Sequence, residues 1–192
     1  MSYMKPAFYL LPFIFFLLSG NIFSQSRKNI REMKIKSAAA VQTEMKNNES
    51  VIQKNSYEEY DRDGNVLLEI EYNTDSSFKK KEVHRYDKHG NATDDFVYDK
   101  NGALVKHIVS QYDNFHDKTS ETVYDAAEKI IEKTKITYNA FGLKVSEITT
   151  GADGKQKKRI SYSYDSKGML VLRSTFNEED KLVSERKYIY NY

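Results

Sequence analysis

The chain has 192 residues, which is enough for one domain or slightly more, and its formal net charge is +2. This near-neutral balance argues against a nucleic-acid-binding surface, which needs a basic face or stripe. The sequence contains no cysteine, so disulfides, thiolate metal sites, a thiol nucleophile and a lipid anchor on an N-terminal cysteine are excluded.

The first 24 residues have the order of a secretory signal peptide. Lys5 gives a positive start, and residues 6–18 are almost wholly apolar. That apolar run is shorter than the roughly 20 residues that a membrane-spanning helix needs. We therefore expect cleavage between Ser24 and Gln25, a secreted or periplasmic location, and no stable membrane span afterwards.

The sequence next predicts a basic leader at residues 25–34 and one β-repeat domain at residues 35–192. The alanine-rich segment 37–41 would suit a short helix, but the phase of the repeat that follows makes it a strand. We expect an irregular first strand pair at residues 35–45 and 51–60.

A turn motif recurs along the rest of the chain: an aromatic residue, Asp or Asn, two variable residues, and Gly or a replacement. The aromatic positions alternate in steps of 12 and 14 from Tyr60 to Tyr190, which gives a 26-residue period. Asp suits the first position of a type I turn, and Gly suits the left-handed fourth position. The motif predicts an antiparallel meander of about twelve strands, with the fourth position held by Gly64, Gly90, Gly102, Gly142, Gly154 and Gly168 and by the replacements Ser76, His116, Glu128 and Asp180.

The turn type also predicts a register. The residue before Asp should pair with the residue two after Gly, as Tyr60 with Val66, so the even-numbered residues should share the more apolar face. The same register places charges of opposite sign across neighbouring strands, an arrangement that stabilises pairing. The expected pairs are Glu69–Lys81, Asp95–His107, Glu121–Lys133 and Glu147–Arg159, with the signs exchanged in Arg173–Glu185.

Strand lengths bear on closure of the sheet. Each longer strand extends beyond the end of the shorter strand before it, so successive turns are staggered along the strand direction. A regular stagger of this kind should make the sheet coil. We predict an open, coiled, single-layer sheet, with a closed up-and-down barrel as the alternative. The alternating Tyr188, Tyr190 and Tyr192 leave a small outer-membrane-associated barrel as the corresponding alternative function.

The Tyr-Asp-x-x-Gly units at residues 60–64, 86–90, 98–102 and 164–168 resemble the YD repeats of Rhs-type and teneurin-type proteins. In that family the repeats form a spiralling β-strip that encloses a cargo domain. This chain is too short to enclose one. The resemblance implies instead a small secreted repeat protein, of a kind that Bacteroidetes-type bacteria carry without an assigned activity.

The sequence indicates no catalytic centre. The four histidines His84, His89, His107 and His116 are expected on different faces or in turns, so no two should converge on a metal. The glycines are spaced as turns and form no phosphate-binding loop. We expect no enzymatic activity and no catalytic, cofactor-binding or metal-binding residues.

Binding residues are predicted where the turn motif is least regular. Phe115, His116 and Phe141 fall in turns at one edge of the sheet, and the two phenylalanines are one period apart, or about 10 Å. Exposed aromatic residues in turns are a candidate contact for an unknown protein or glycan. The sequence therefore predicts a non-enzymatic binding or scaffold surface.

Overall fold

The computed structural model describes residues 26–46 and 49–191. The predicted signal peptide, residues 1–24, lies outside the described residues. Within the described ranges, no helix is long and apolar enough to cross a membrane. The elements are α1 (Arg27–Glu32), β1 (Ser37–Lys46), β2 (Glu49–Tyr60), β3 (Val66–Tyr72), β4 (Phe78–Tyr86), β5 (Ala92–Tyr98), β6 (Leu104–Tyr112), β7 (Lys118–Tyr124), β8 (Ile130–Tyr138), β9 (Lys144–Gly151), β10 (Gln156–Tyr164), β11 (Leu170–Phe176) and β12 (Leu182–Lys187).

All twelve strands form one antiparallel sheet in chain order, from β1 to β12. The meander and its strand number are confirmed, and the irregular first pair forms β1 and β2. The alternative of a closed up-and-down barrel is wrong, because β1 and β12 are the two outermost strands of the sheet and do not pair with each other.

The ten turns between residues 61 and 180 share one backbone geometry. In each, the N–H of the fourth residue donates to the carbonyl of the first, as Gly64 does to Asp61 at 3.2 Å. The fourth residue has a positive φ in all ten, including the four turns without glycine, where φ is 57° to 68°. The Asp side chain also holds the turn, since Asp61 Oδ1 accepts from the N–H groups of Asp63 and Asn65 at 2.8 Å. The predicted turns are confirmed.

The four non-glycine residues at the fourth position each make a side-chain contact with an earlier part of the chain. A left-handed conformation costs a non-glycine residue about 1–2 kcal/mol, and these contacts offset part of that strain. They are Ser76 Oγ with the N–H of Lys54 at 2.8 Å, His116 with His89 at 4.4 Å between ring centroids, Glu128 with His107 at 3.3 Å, and Asp180 with Arg159 at 2.8 Å.

A β-bulge beside every one of these turns changes the predicted register. Tyr60 pairs with Val66 as expected, but Glu59 pairs with Leu68, so Leu67 is an extra residue. The same shift follows the expected pairs at the later turns. Because a one-residue shift moves every side chain to the other face, the even-numbered residues do not share a face. Even residues of the longer strands lie on the same face as odd residues of the shorter ones.

The five predicted ion pairs across strands are therefore wrong. In each case the observed register displaces the expected partner by one residue along its strand, so the two charges lie on opposite faces of the sheet. The observed neighbours of the five residues concerned are Glu82 for Glu69, Ile108 for Asp95, Thr134 for Glu121, Ile160 for Glu147, and Arg186 for Arg173.

Basic residues of the longer strands pair with aromatic residues instead. Lys81 is directly opposite Tyr98, and its Nζ lies 4.2 Å from the ring centroid. Arg159 is opposite Phe176, with its guanidinium carbon 3.8 Å from the ring centroid. A cation over the face of an aromatic ring contributes about 0.5–1 kcal/mol at an exposed site.

The opposite face carries a row of directly paired residues, five of which are acidic. We call it the acidic row, and it has one pair per repeat. Buried aliphatic residues such as Val123, Ile136 and Ile160 lie on the same face. The pairs of the row are Glu58–Glu69, His84–Asp95, Ser110–Glu121, Ile136–Glu147 and Tyr162–Arg173.

Tyrosine hydroxyls join successive hairpins along one edge of the sheet. The Tyr86 hydroxyl donates to the carbonyl of Val66 at 2.7 Å, from the end of β4 to the start of β3. The same bond recurs along the chain at a constant separation of 20 residues. The other hydroxyl-to-carbonyl hydrogen bonds of this series are Tyr112 to Ala92, Tyr138 to Lys118, Tyr164 to Lys144 and Tyr190 to Leu170.

Helix α1 lies inside the predicted basic leader and packs against the turn between β2 and β3. The Ser26 side chain caps it by accepting from the N–H of Asn29. Ile30 is buried and packs with Tyr60 and Val66. A six-residue helix is unstable alone, so this packing holds it in place.

Replacing Gly102 by alanine tests the turn geometry. Gly102 has a φ of +77°, and nothing lies within 4 Å of the position that a Cβ would take. The change should therefore add only the left-handed penalty and lower the free energy of unfolding by about 1–2 kcal/mol, measured by urea denaturation. Lys100→Ala in the same turn is the control and should change it by less than about 0.5 kcal/mol. Equal stability of both variants would contradict the geometry.

Two double-mutant cycles test the bulged register. Lys81→Met combined with Tyr98→Leu should show a coupling of about 0.5–1 kcal/mol, because the cation lies over the ring. Lys81→Met combined with Glu69→Gln should be additive, since the two side chains lie on opposite faces. Denaturant unfolding of each variant measures both couplings. Coupling in the second cycle and none in the first would favour the register without bulges.

Candidate functional site

Three neighbouring turns lie at one edge of the sheet, the edge that is formed by the ends of the strands. We call the surface that they form the turn rim, and it comprises residues 87–90, 113–116 and 139–142. A meander places alternate turns at the same edge, so turns one 26-residue period apart become neighbours there. The rim brings together Phe115, His116 and Phe141, the three residues that the sequence singled out.

The two phenylalanine rings of the turn rim are almost fully exposed, at 84% for Phe115 and 88% for Phe141. Their backbones are held without the rings, because their N–H groups donate to Asp113 Oδ1 and Asn139 Oδ1 at 2.8 and 2.9 Å. The rings therefore contribute little burial to the fold. The other turns carry polar or small residues at this position, namely Asp63, Asp75, His89, Asn101, Ala127, Asp153, Lys167 and Glu179.

Two histidines meet at the turn rim. The rings of His89 and His116 lie 4.4 Å apart between centroids, and His116 Nδ1 is 3.3 Å from Asn91 Nδ2. Both residues were expected in turns, and their rings are in contact because these turns are neighbours at one edge. The expectation that no two histidines converge on a metal stays a prediction. In the part of the chain that the structure describes, no group of three or more His, Cys, Asp or Glu residues could hold a metal ion.

A cavity of about 410 Å³ lies between the first two turns of the rim. The Asp87 carboxylate in its wall has a pKa below the ordinary value, because it accepts hydrogen bonds from the backbone and side chain of Asn91. The sequence did not indicate these wall residues, because Asp87 is the first residue of a regular turn and Asn91 follows the turn directly, as Asn65 does in the first turn. The side chains that give the cavity its polar character are Asp87, His89, Asn91, Thr93, Asn114 and His116.

A second cluster of titratable groups forms the start of the acidic row. Glu58 is fully buried, and its Oε2 accepts from the Tyr60 hydroxyl at 2.5 Å. His84 Nδ1 lies 2.7 Å from Asp95 Oδ1, and His84 Nε2 lies 3.8 Å from Glu69 Oε1. None of these side chains lines the rim cavity, so we interpret the cluster as part of the folded interior.

Burial and neighbouring charges shift the proton affinities of this cluster. Burial raises the pKa of Glu69, and the nearby Glu58 and Glu82 raise it further against the opposing charge of His84. Burial alone would lower the pKa of His84, but the hydrogen bond and charge of Asp95, with the charge of Glu69, outweigh it and raise the pKa. The folded state therefore holds protons at both groups more tightly than the unfolded chain does.

This proton affinity predicts a loss of stability at mildly alkaline pH. A histidine whose pKa is raised by folding adds to the free energy of unfolding. This addition is complete below the pKa of the unfolded chain, 6.5, and is lost as pH rises through the pKa of the folded protein. His107, whose pKa is raised by Asp94 and Glu128 against the effect of burial, acts in the same window. The free energy of unfolding should therefore fall as pH rises above about 6.5, through the raised pKa values of the two histidines.

Histidine variants identify the source of that fall. His84→Gln and His107→Gln should each reduce the slope of unfolding free energy against pH, and the double variant should abolish most of it. His89→Gln, in an exposed turn, is the control and should keep the slope of the original protein. An undiminished slope in the double variant would contradict the assignment.

Neither a protein-family model nor a curated protein sequence matches the chain. Solved structures with partial similarity to the chain include the following three. A protein of unknown function from Bacteroides fragilis is 15% identical with a TM-score of 0.40, covering 56% of this chain and 91% of that one. A porin-like protein from Bacteroides uniformis is 11% identical with a TM-score of 0.45, covering 72% and 70%. The TcdB2-TccC3-Cdc42 structure is 10% identical with a TM-score of 0.26, covering 78% of this chain and 12% of that one. With TM-scores below 0.5, these similarities carry no argument about function, and the resemblance to YD repeats stays a prediction.

Proposed function

We propose that the protein is a secreted or periplasmic, non-enzymatic repeat protein whose turn rim binds carbohydrate. The observation that carries this proposal is the polar cavity of the rim, about 410 Å³ in volume, on the same rim as two exposed phenylalanine rings. Its volume is within the range of small-molecule sites.

The cavity wall suits a ligand with many hydroxyl groups. A sugar hydroxyl both donates and accepts hydrogen bonds, and the wall offers carboxylate, amide, hydroxyl and imidazole groups together. The Asn114 side chain makes no hydrogen bond to any residue of the described ranges, so its donors and acceptor are available to a ligand. A protein partner would instead favour an apolar centre at its contact, and this cavity is polar.

The phenylalanine rings suit the apolar faces of sugar rings. An aromatic face carries partial negative charge, which attracts the slightly positive C–H groups on one side of a pyranose. Phe115 and Phe141 lie one repeat apart, about two strand spacings or 10 Å, so an oligosaccharide along the rim could contact both. Stacking on exposed rings would also explain why large apolar side chains replace polar ones in these two turns.

A glycan array followed by calorimetry with the best ligand tests the proposal. Replacing both phenylalanines by alanine should lower the affinity at least fivefold, which corresponds to the loss of about 1 kcal/mol of stacking. The free energy of unfolding should change by less than about 0.5 kcal/mol, because both rings are exposed. Asn114→Ala should also lower the affinity by removing hydrogen bonds in the cavity.

Asn101→Ala, at the same turn position on the opposite edge, is the matched control and should bind as the original protein does. No binding across a broad glycan panel would overturn the proposal. So would an affinity that is unchanged when both phenylalanines are replaced.

A further inference from the structure

A larger cavity, of about 840 Å³, lies between helix α1 and the ends of β1 and β2, away from the turn rim. Ile30, Ile35, Tyr57 and Tyr60 supply its apolar wall. Ile30 and Tyr60 are themselves buried, at 4% and 7% exposure, so they give the wall a fixed shape. The volume falls within the range of sites that enclose small ligands.

The charged side chains of this wall are four cations and two anions, a net charge of +2. The two anions already have partners. Glu59 accepts from the Tyr57 hydroxyl at 3.0 Å, and Asp61 accepts from the backbone and side chain of Asn65 at 2.8 and 2.7 Å. The four cations, whose side chains have no hydrogen bond or ion pair to any residue in 26–46 or 49–191, are Arg31, Lys34, Lys36 and Arg62.

Folding explains part of this positive charge but leaves the rest unexplained. Arg31 and Lys34 lie at the C-terminal end of α1, where the helix dipole favours cations. Lys36 and Arg62 lie on other segments, outside that effect. Lys34 also has a φ of +56°, a conformation for which glycine is the usual residue at a helix end. The lysine side chain is retained there despite the backbone strain.

We propose that this cavity binds an anionic amphiphile, a molecule with a carboxylate or phosphate head and a hydrocarbon chain. The hydrocarbon chain would lie against Ile30 and Ile35, and removal of this apolar surface from water would favour binding. The head group would lie among the unpaired cations, which offer charge-assisted hydrogen bonds to carboxylate or phosphate oxygens. This proposal is independent of carbohydrate binding at the turn rim, because the two cavities share no residue.

A displacement assay with a dansyl-labelled fatty acid tests the ligand class. The purified protein should enhance the fluorescence of the probe, and palmitate should displace it. Hexadecanol, which has the same chain without the charge, should need at least about a tenfold higher concentration. Inorganic phosphate alone should not displace the probe, which separates an amphiphile site from a simple anion site. Added salt should weaken the binding of palmitate more than that of hexadecanol, because salt screens the contact between the charged head group and the cations.

Charge variants locate the site. Lys36→Gln combined with Arg62→Gln should raise the palmitate concentration needed for displacement about tenfold and leave the urea unfolding midpoint unchanged. Lys28→Gln is the matched control, since Lys28 lies on the same helix, pairs with Glu32 at 3.8 Å and does not line the cavity. The inference is overturned by absence of probe binding, by equal displacement with palmitate and hexadecanol, or by an unchanged affinity in the double variant.

Discussion

The left-handed fourth residue of the turn and the bulge beside it are the constraint on which the rest of this structure depends. The turn brings Tyr60 opposite Val66, and the extra residue Leu67 then moves the remaining pairs by one position. Repetition of this unit decides which side chains share a face along the whole sheet. The bulge thereby places the acidic row on one face and the Lys81–Tyr98 and Arg159–Phe176 pairs on the other. Without it, Glu69 would lie across from Lys81, and the electrostatics of both faces would change.

The acidic row shows how the fold tolerates charge on its more buried face. Glu58 and Glu69 are directly paired, an arrangement that is unfavourable when both are ionised. A Tyr60 hydroxyl at one carboxylate and the His84 ring near the other reduce that repulsion, and the raised pKa of Glu69 reduces it further. Later in the chain the same face carries Thr134 and Ile160, both buried. On this face, the carboxylate and the histidine with raised pKa values, Glu69 and His84, lie on the neighbouring strands β3 and β4.

Much of the fold could be predicted from the sequence because turn chemistry is local. Asp at the first position and Gly at the fourth place a turn without reference to distant residues, and spacing alone predicts the turns that end at Ser76 and Glu128. The bulge could not be predicted, because Leu67 and its counterparts have no distinctive residue type and both registers preserve an alternating pattern. The complementary charges favour the register without bulges. In the structure, however, a basic residue such as Lys81 contacts an aromatic ring on its own face and not the acidic residue expected opposite it. Helix α1 was missed because only the tertiary burial of Ile30 stabilises so short a helix.

The candidate sites were predictable in proportion to their departure from the repeat. Phe115 and Phe141 could be identified because they occupy positions that are polar or small in the other turns. Asp87 and Asn91 could not, because the same side chains build the turn and line the cavity. A repeat array tolerates such local exceptions, since each strand contacts only its neighbours and one strained or apolar turn weakens only nearby pairs. Residues that contribute little to folding, such as the exposed rings, can therefore differ from their counterparts in the other turns without loss of the sheet.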